Sequence, residues 1–237
     1  RARPDGIAAS MTPGYIHAVE QPFGMTDRDD GPSFSFVSEP EDTRERIMQA
    51  TFETVQAHGF AGLSIGRIAD RADLSKSSVY HFYDDKDDLL LAFLDAMLAQ
   101  FGGPLADADF DDPETELWTL VDFGLYGTTG EQFPPVDGVG DVNGRPYVEL
   151  RSQATHDDEY RDRFTDIDAS MHERLATVID RGIDDGVFRP VDPDRTAQFL
   201  LTVLLGGLFR RATSDGLDAD AVRSELEAVV DDRLLPA

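Results

Sequence analysis

The chain has two lysines among its 237 residues, Lys76 and Lys86, and both fall in one stretch: Ser75, Lys76, Ser77, Ser78, Val79, Tyr80, His81, Phe82, Tyr83, Asp84, Asp85, Lys86. These residue types suit recognition of a polyanion that presents patterned polar edges. Small hydroxyls let a backbone approach closely, an ammonium reaches a phosphate oxygen or the acceptor edge of guanine, and a phenol donates to phosphate. Read as a helix capped by Ser75, the stretch turns Lys76, Ser77, Ser78, Tyr80 and His81 outward and packs Val79 and Phe82 against Ile68 and Leu74. Ser64, capping the helix before it, adds a hydroxyl and helix-terminal amides for a further phosphate.

The flanking sequence supplies the elements that must hold this helix. Asp42 with Glu45 three residues on predicts a helix start, Ile47, Ala50, Thr54 and Val55 share its buried face, and Gly59 ends it. A short helix follows, capped by Ser64, with Ile65, Ile68 and Ala69 inward. Ala72, Asp73 and Leu74 make a tight turn, and the Ser75 helix runs to about Phe82. Three short helices with a compact turn before the last form a helix-turn-helix pattern. Asp84 or Asp85 then caps a longer helix carrying Leu89, Leu90, Phe93, Leu94, Met97 and Leu98, which the sequence ends at Gly102, Gly103 and Pro104.

Helical periodicity continues from Pro113 to about Tyr126, from Tyr147 to about Thr155, from Asp158 to about Gly182, from Pro193 to about Thr213, and from Asp218 to about Leu234. Residues 127–144, rich in Gly and Pro, read as a loop, either a lid over a pocket or a disordered segment. Nothing alternates with period two for long, and no internal repeat is present, so the expected fold class is all-α. Residues 1–40 carry five prolines and no periodicity. They read as a disordered leader, with Met11 or Met25 as alternative starts.

The region from Ile47 to Leu90 resembles the N-terminal domain of TetR-type transcriptional regulators. The resemblance rests on Ser64, Ile65, Gly66, Arg67, Ile68 and Ala69, on Ala72 through Phe82, and on Lys86, Asp87, Asp88 and Leu89 at their spacing. It implies a three-helix DNA-binding head over residues 41–86 and a helical ligand-binding and dimerisation domain over residues 87–237. It also implies a homodimer that reads a palindromic operator, a small-molecule effector, and action most often as a repressor. Lys86 would hold a phosphate at the start of the fourth helix, Tyr80 takes the place of the family's tyrosine, and base contacts fall on Lys76, Ser77 and His81. The chain departs from the pattern in having Asp73 where glycine is usual, a residue that tolerates left-handed geometry. Asp84, Asp85, Asp87 and Asp88 also crowd Lys86 and lower its local potential.

Acid dominates the rest of the chain, with 47 Asp plus Glu against 21 Lys plus Arg and a net charge of -26. Residues 43–86 are neutral, since Arg44, Arg46, Arg67, Arg71, Lys76 and Lys86 balance Glu45, Glu53, Asp70, Asp73, Asp84 and Asp85. Such acidity with almost no lysine suits solubility at very high salt, which screens self-repulsion, so a halophilic source is expected. A broadly basic, non-specific DNA coat is excluded by the same numbers. Cysteine is absent, which rules out disulfides and thiolate metal sites and fits a cytoplasmic protein. The longest mainly apolar run, residues 199–209, is too short for a membrane span, and no secretory signal core is present.

In the larger half, Phe199, Leu200, Val203, Leu204 and Leu208, with Val222, Leu226 and Val229 on the last helix, offer two consecutive apolar faces. Two such helices suit an isologous four-helix dimer interface or, alternatively, the core of one subunit. Trp118, Tyr126, Tyr147, Phe164 and Met171 are the candidate lining of an effector pocket, against the plain alternative that each is core. The rival reading is a small-molecule or metal-binding helical protein with enzymatic activity in residues 101–237. Asp168 and His172, four apart, and His156 beside Asp157, Asp158 and Glu159 are the features that favour it. Two ligands on one helix fall short of the three or four a metal needs, and neither a phosphate loop nor a nucleophile elbow is present. A solvated acidic face is the preferred reading, with no metal and no cofactor.

Overall fold

A computed structural model describes residues 39–106, 108, 110–127 and 144–236. The leader and the Gly/Pro-rich loop lie outside these residues apart from their edges. Among the described residues there are nine α-helices, one 3-10 turn at Phe60–Gly62 and no strand.

The head consists of α1 (Thr43–His58), α2 (Ile65–Arg71) and α3 (Lys76–Phe82). Asp42 caps α1 by accepting from Glu45 N at 2.9 Å, and the Glu45 carboxylate reaches back to Glu41 N at 2.6 Å, one residue before the expected partner. Gly59, at φ 64°, stops the helix. Thr51 and Thr54 are fully buried on the apolar face because each hydroxyl donates to the carbonyl four residues back, Ile47 and Ala50.

The turn between α2 and α3 follows from its own backbone bonds. Leu74 N donates to Ala69 O at 2.9 Å and Asp73 N to Asp70 O at 3.4 Å, with Asp73 at φ 54°. This is a Schellman ending with aspartate in the left-handed position that glycine usually fills. Arg46 on α1 donates to Ala72 O at 2.6 Å and ties the turn to the first helix.

Helix α4 (Lys86–Ala106) starts at Asp85, whose Oδ1 accepts from Asp87 N at 2.8 Å and Asp88 N at 2.9 Å. It runs through Gly102, Gly103 and Pro104, where the sequence pattern stops it. Propensity is a weak determinant at single positions, and the helix passes over all three. The remaining helices are α5 (Pro113–Tyr126), α6 (Gly144–Gln153), α7 (Asp158–Asp184), α8 (Pro193–Thr213) and α9 (Ala219–Arg233).

Two apolar clusters organise the molecule. The first runs without a break from the head through Leu89, Phe93 and Leu94 of α4 to Leu150 of α6 and Phe164 and Ile167 of α7. The second joins α5, the C-terminal half of α7, α8 and α9. At the edge of the second, buried Glu116 takes Arg174 Nη2 at 2.8 Å and Arg181 Nη2 at 2.6 Å, pinning α5 to α7.

The residues of α8 and α9 that suit a dimer interface or a core lie in different surroundings. Leu200, Leu204 and Leu226 are buried within the second cluster, so they serve this subunit's own core and not its surface. Leu208 packs against the first cluster beside Gly144, at the start of α6. Helix α8 is apolar on two faces, and the sequence did not say which one pointed in. Phe199 and Phe209 are exposed at 40% and 56%, and a Cβ on Gly206 would meet open space. Phe199, Thr202, Gly206, Phe209 and Thr213 therefore form the outward stripe of α8, and Val203, Val222 and Val229 are half-buried.

Candidate nucleic-acid interface

The face built by α2 and α3 holds most of the residues expected to meet DNA. Ser75 caps α3 through Ser78 N at 3.0 Å, and the Ser75 and Ser78 hydroxyls lie 2.8 Å apart, so Ser78 is half-buried in the cap. Lys76, Ser77, Tyr80 and His81 are exposed, Tyr80 at 52%. Val79 is fully buried, which fixes the rotation of α3 and leaves Tyr80 in water. Ser64 caps α2 by accepting from Arg67 N at 3.3 Å and faces outward.

Lys76 lies back across α2. A Cβ on Gly66 would stand 3.0 Å from Lys76 Cε and 3.3 Å from its Nζ, and 3.9 Å from Ser64 Oγ. The ammonium is thus placed over the bare surface of a glycine, whose open side the Ser64 hydroxyl also borders. Three of the head arginines have internal duties: Arg46 holds Ala72 O, Arg67 donates to Gly62 O, and Arg71 pairs with Glu53 at 3.1 Å. Within the described residues no ion pair holds Lys76 or Lys86.

The aspartates around Lys86 are also engaged. Asp85 caps α4, Asp88 Oδ2 accepts from Asp84 N at 2.9 Å, and Asp87 Oδ1 accepts from the Tyr160 hydroxyl at 3.2 Å. One oxygen each of Asp85, Asp87 and Asp88 faces a backbone amide or a phenol, and Lys86 is exposed at the helix start.

The five residues proposed as effector lining fall into separate places. Tyr147 and Phe164 meet edge to face, with centroids 5.2 Å apart at 88°, and half-buried Met171 lies between the two apolar clusters. Trp118 and Tyr126 point elsewhere. With Asp122 they form the stripe of α5 that faces α9: Arg223 lies 3.7 Å over the Trp118 ring and 2.6 Å from Asp122, and Tyr126 donates to Asp220 at 2.8 Å. The alternate stripe, Leu117, Val121 and Leu125, is the one that faces the core.

In the α6–α7 cluster Arg151 was missed by the sequence reading, and Asp168 was weighed there only as a metal ligand. Arg151 grips Asp168 with both arms, at 2.9 and 2.5 Å, donates to the Tyr147 hydroxyl at 3.2 Å, and stands 5.1 Å from the Phe164 centroid. The signal was present, since Tyr147 and Arg151 are four apart on one helix, as are Phe164 and Asp168 on the next. Burial pushes the Tyr147 phenol up to about 12. The Asp168 and His172 pair is divided: both Asp168 oxygens face Arg151, and His172 Nε2 contacts Asp194 O at 3.0 Å.

A three-helix head with a capped, polar, outward-turned third helix, joined by a long helix to an all-helical body, is the architecture of a helix-turn-helix regulator of transcription. Comparison with known proteins supplies the family. Residues 47–93 match the family described as bacterial regulatory proteins, tetR family, and residues 129–235 match the BetI-type transcriptional repressor C-terminal family. The crystal structure of a TetR transcription regulator from Haloarcula marismortui is 35% identical, covering 81% of this chain and 98% of that one, with a TM-score of 0.70. The chain belongs to the TetR family.

The BetI regulator of Stenotrophomonas maltophilia is 37% identical over 83 residues, 33% of this chain, and the match spans 42% of that protein. A regulator from Saccharomonospora viridis, solved in complex with choline, shares the fold at a TM-score of 0.64 and 21% identity, covering 82% of this chain and 98% of that one. No helix of the described residues is long and apolar enough to cross a membrane.

Proposed function

We propose that the chain is a ligand-responsive repressor that binds a palindromic operator as a homodimer and has no enzymatic activity. In this reading residues 41–86 form the DNA-binding unit and residues 87–237 the effector-binding and dimerisation unit. The observation that carries the reading is the exposed polar face of α3, with Lys76 lying over Gly66. Lys76, Ser77 and His81 read base edges. Ser64, Tyr80 and Lys86 hold phosphates, and Ser78 supports the cap. The outward stripe of α8, from Phe199 to Phe209, and the outer face of α9 meet a second copy across a two-fold axis, so both recognition helices face one side of the duplex.

The effector site lies between α6 and α7, where Tyr147 and Phe164 present ring faces to a cation already. A small organic cation is the first class to test, because it would compete with Arg151 for both the rings and Asp168. The surplus acid of the body suits the protein to concentrated salt inside the cell and takes no part in recognition. A gel shift in molar potassium chloride tests the DNA assignment: Lys76→Ala loses the sequence-specific complex, and an unchanged complex contradicts it.

A further inference from the structure

The joint between body and head contains two polar contacts. Both reach from α7 to α4. Tyr160, 2% exposed, donates to Asp87 Oδ1 at 3.2 Å, and Arg163 donates from Nε to Asp95 Oδ1 at 2.7 Å. Asp87 and Asp95 are two turns apart on α4, and Asp87 directly follows Lys86. The same stripe of α7 continues with Phe164 and Asp168, which hold Tyr147 and Arg151 of α6.

Apolar packing between α4 and α7 is non-directional and tolerates small slides, whereas hydrogen bonds to a carboxylate oxygen fix distance and angle. The two contacts therefore set the register of α4 against α7. We propose that Tyr160 is a positioning residue for DNA binding: its hydroxyl anchors Asp87, and with it the first turn of α4 and Lys86. Together with Arg163 it makes α7 the element that passes a displacement of the α6–α7 cluster to the DNA-facing surface. This rests on the reading that Lys86 holds a phosphate. A ligand that separates Arg151 from Asp168 moves α7 at the turn adjoining Phe164, and the anchor transmits that movement because its geometry is fixed.

The test uses the full chain and a duplex selected by the wild-type protein from a random-sequence library. Tyr160→Phe removes only the donor and leaves the ring in place. It should weaken binding about 3- to 10-fold. Lys86→Ala should weaken wild-type binding but cost clearly less in the Tyr160→Phe background, which a purely structural role for Tyr160 would not produce. Amide exchange at Asp87 and Asp88 should quicken in Tyr160→Phe, and Asp87→Ala, a change at an exposed site, should give the same acceleration. Unchanged affinity in Tyr160→Phe, or an equal cost of Lys86→Ala in both backgrounds, overturns the proposal. Lys86→Ala without effect in either background overturns the phosphate role of Lys86 and the proposal with it, leaving the assignment of Lys76 standing.

Discussion

Lys76 lies across Gly66, and the absence of a side chain on Gly66 is what lets it. A Cβ there would come within 3.0 Å of Lys76 Cε and 3.3 Å of Nζ, tighter than ordinary contact. The lysine is flexible, so it would move and the fold would not. Gly66→Ala should therefore weaken operator binding while stability stays level or rises by up to about 0.5–1 kcal/mol, from the lower chain entropy of alanine. Urea unfolding and a DNA titration on the same preparation check both halves. Equal loss of stability and binding would contradict the arrangement.

Asp73 occupies a left-handed position at φ 54°. An L-residue with a Cβ is disfavoured there by roughly 1 kcal/mol, and aspartate relieves only part of that. Asp73→Gly should raise stability by about 0.5–1 kcal/mol. The check is a shift of the urea midpoint to higher concentration with an unchanged m-value.

Gly182 is the position in α7 least able to accept a side chain. A Cβ would sit 2.0 Å from Phe188 Cδ2, and the Phe188 ring is buried against the same helix. Neither the helix nor the ring can step aside cheaply, so Gly182→Ala should destabilise the protein by about 2–3 kcal/mol. Thermal unfolding measures it, and a loss below about 0.5 kcal/mol would mean that the ring has another place to go.

Much of the head was legible because its determinants are local. Asp42, Ser64 and Ser75 cap the helices that the sequence assigns to them, Gly59 ends the first, and Asp73 takes the left-handed turn. The position of Lys76 was not legible, since it depends on how α3 crosses α2. In the body, helix existence was readable but orientation was not. Trp118 and Tyr126 sit one position round from the Leu117, Val121 and Leu125 stripe, and with two apolar-rich faces only packing decides which turns inward. The same ambiguity left Leu200 and Leu204 between a dimer interface and the core in the sequence, and the fold buries both in the second cluster.

Burial raises the phenols of Tyr83 and Tyr147 from 10.0 to about 12, and burial with the Asp220 hydrogen bond does the same for Tyr126. A raised folded pKa means that the unfolded chain releases these protons first. The stability they contribute is complete below pH 10.0 and is lost as pH rises towards about 12. Alkaline titration followed by phenolate absorbance should show these groups ionising together with loss of helical circular dichroism. Ionisation of Tyr83 and Tyr147 near pH 10 with the helices intact would contradict their burial.

The central claim is that α3 reads DNA and that Lys76 is one of its base-reading contacts. The most direct measurement is the affinity of wild type, Lys76→Ala and Lys86→Ala for the selected duplex and for a set of single base-pair variants of it. Lys76→Ala should cost about 1–3 kcal/mol on the selected sequence and flatten discrimination at one position in each half-site. Lys86→Ala should weaken all duplexes alike and make the salt dependence shallower by about one unit of slope per contact. If Lys76→Ala binds the selected duplex as tightly as wild type and ranks the variants in the same order, α3 is not the reading helix and the account fails.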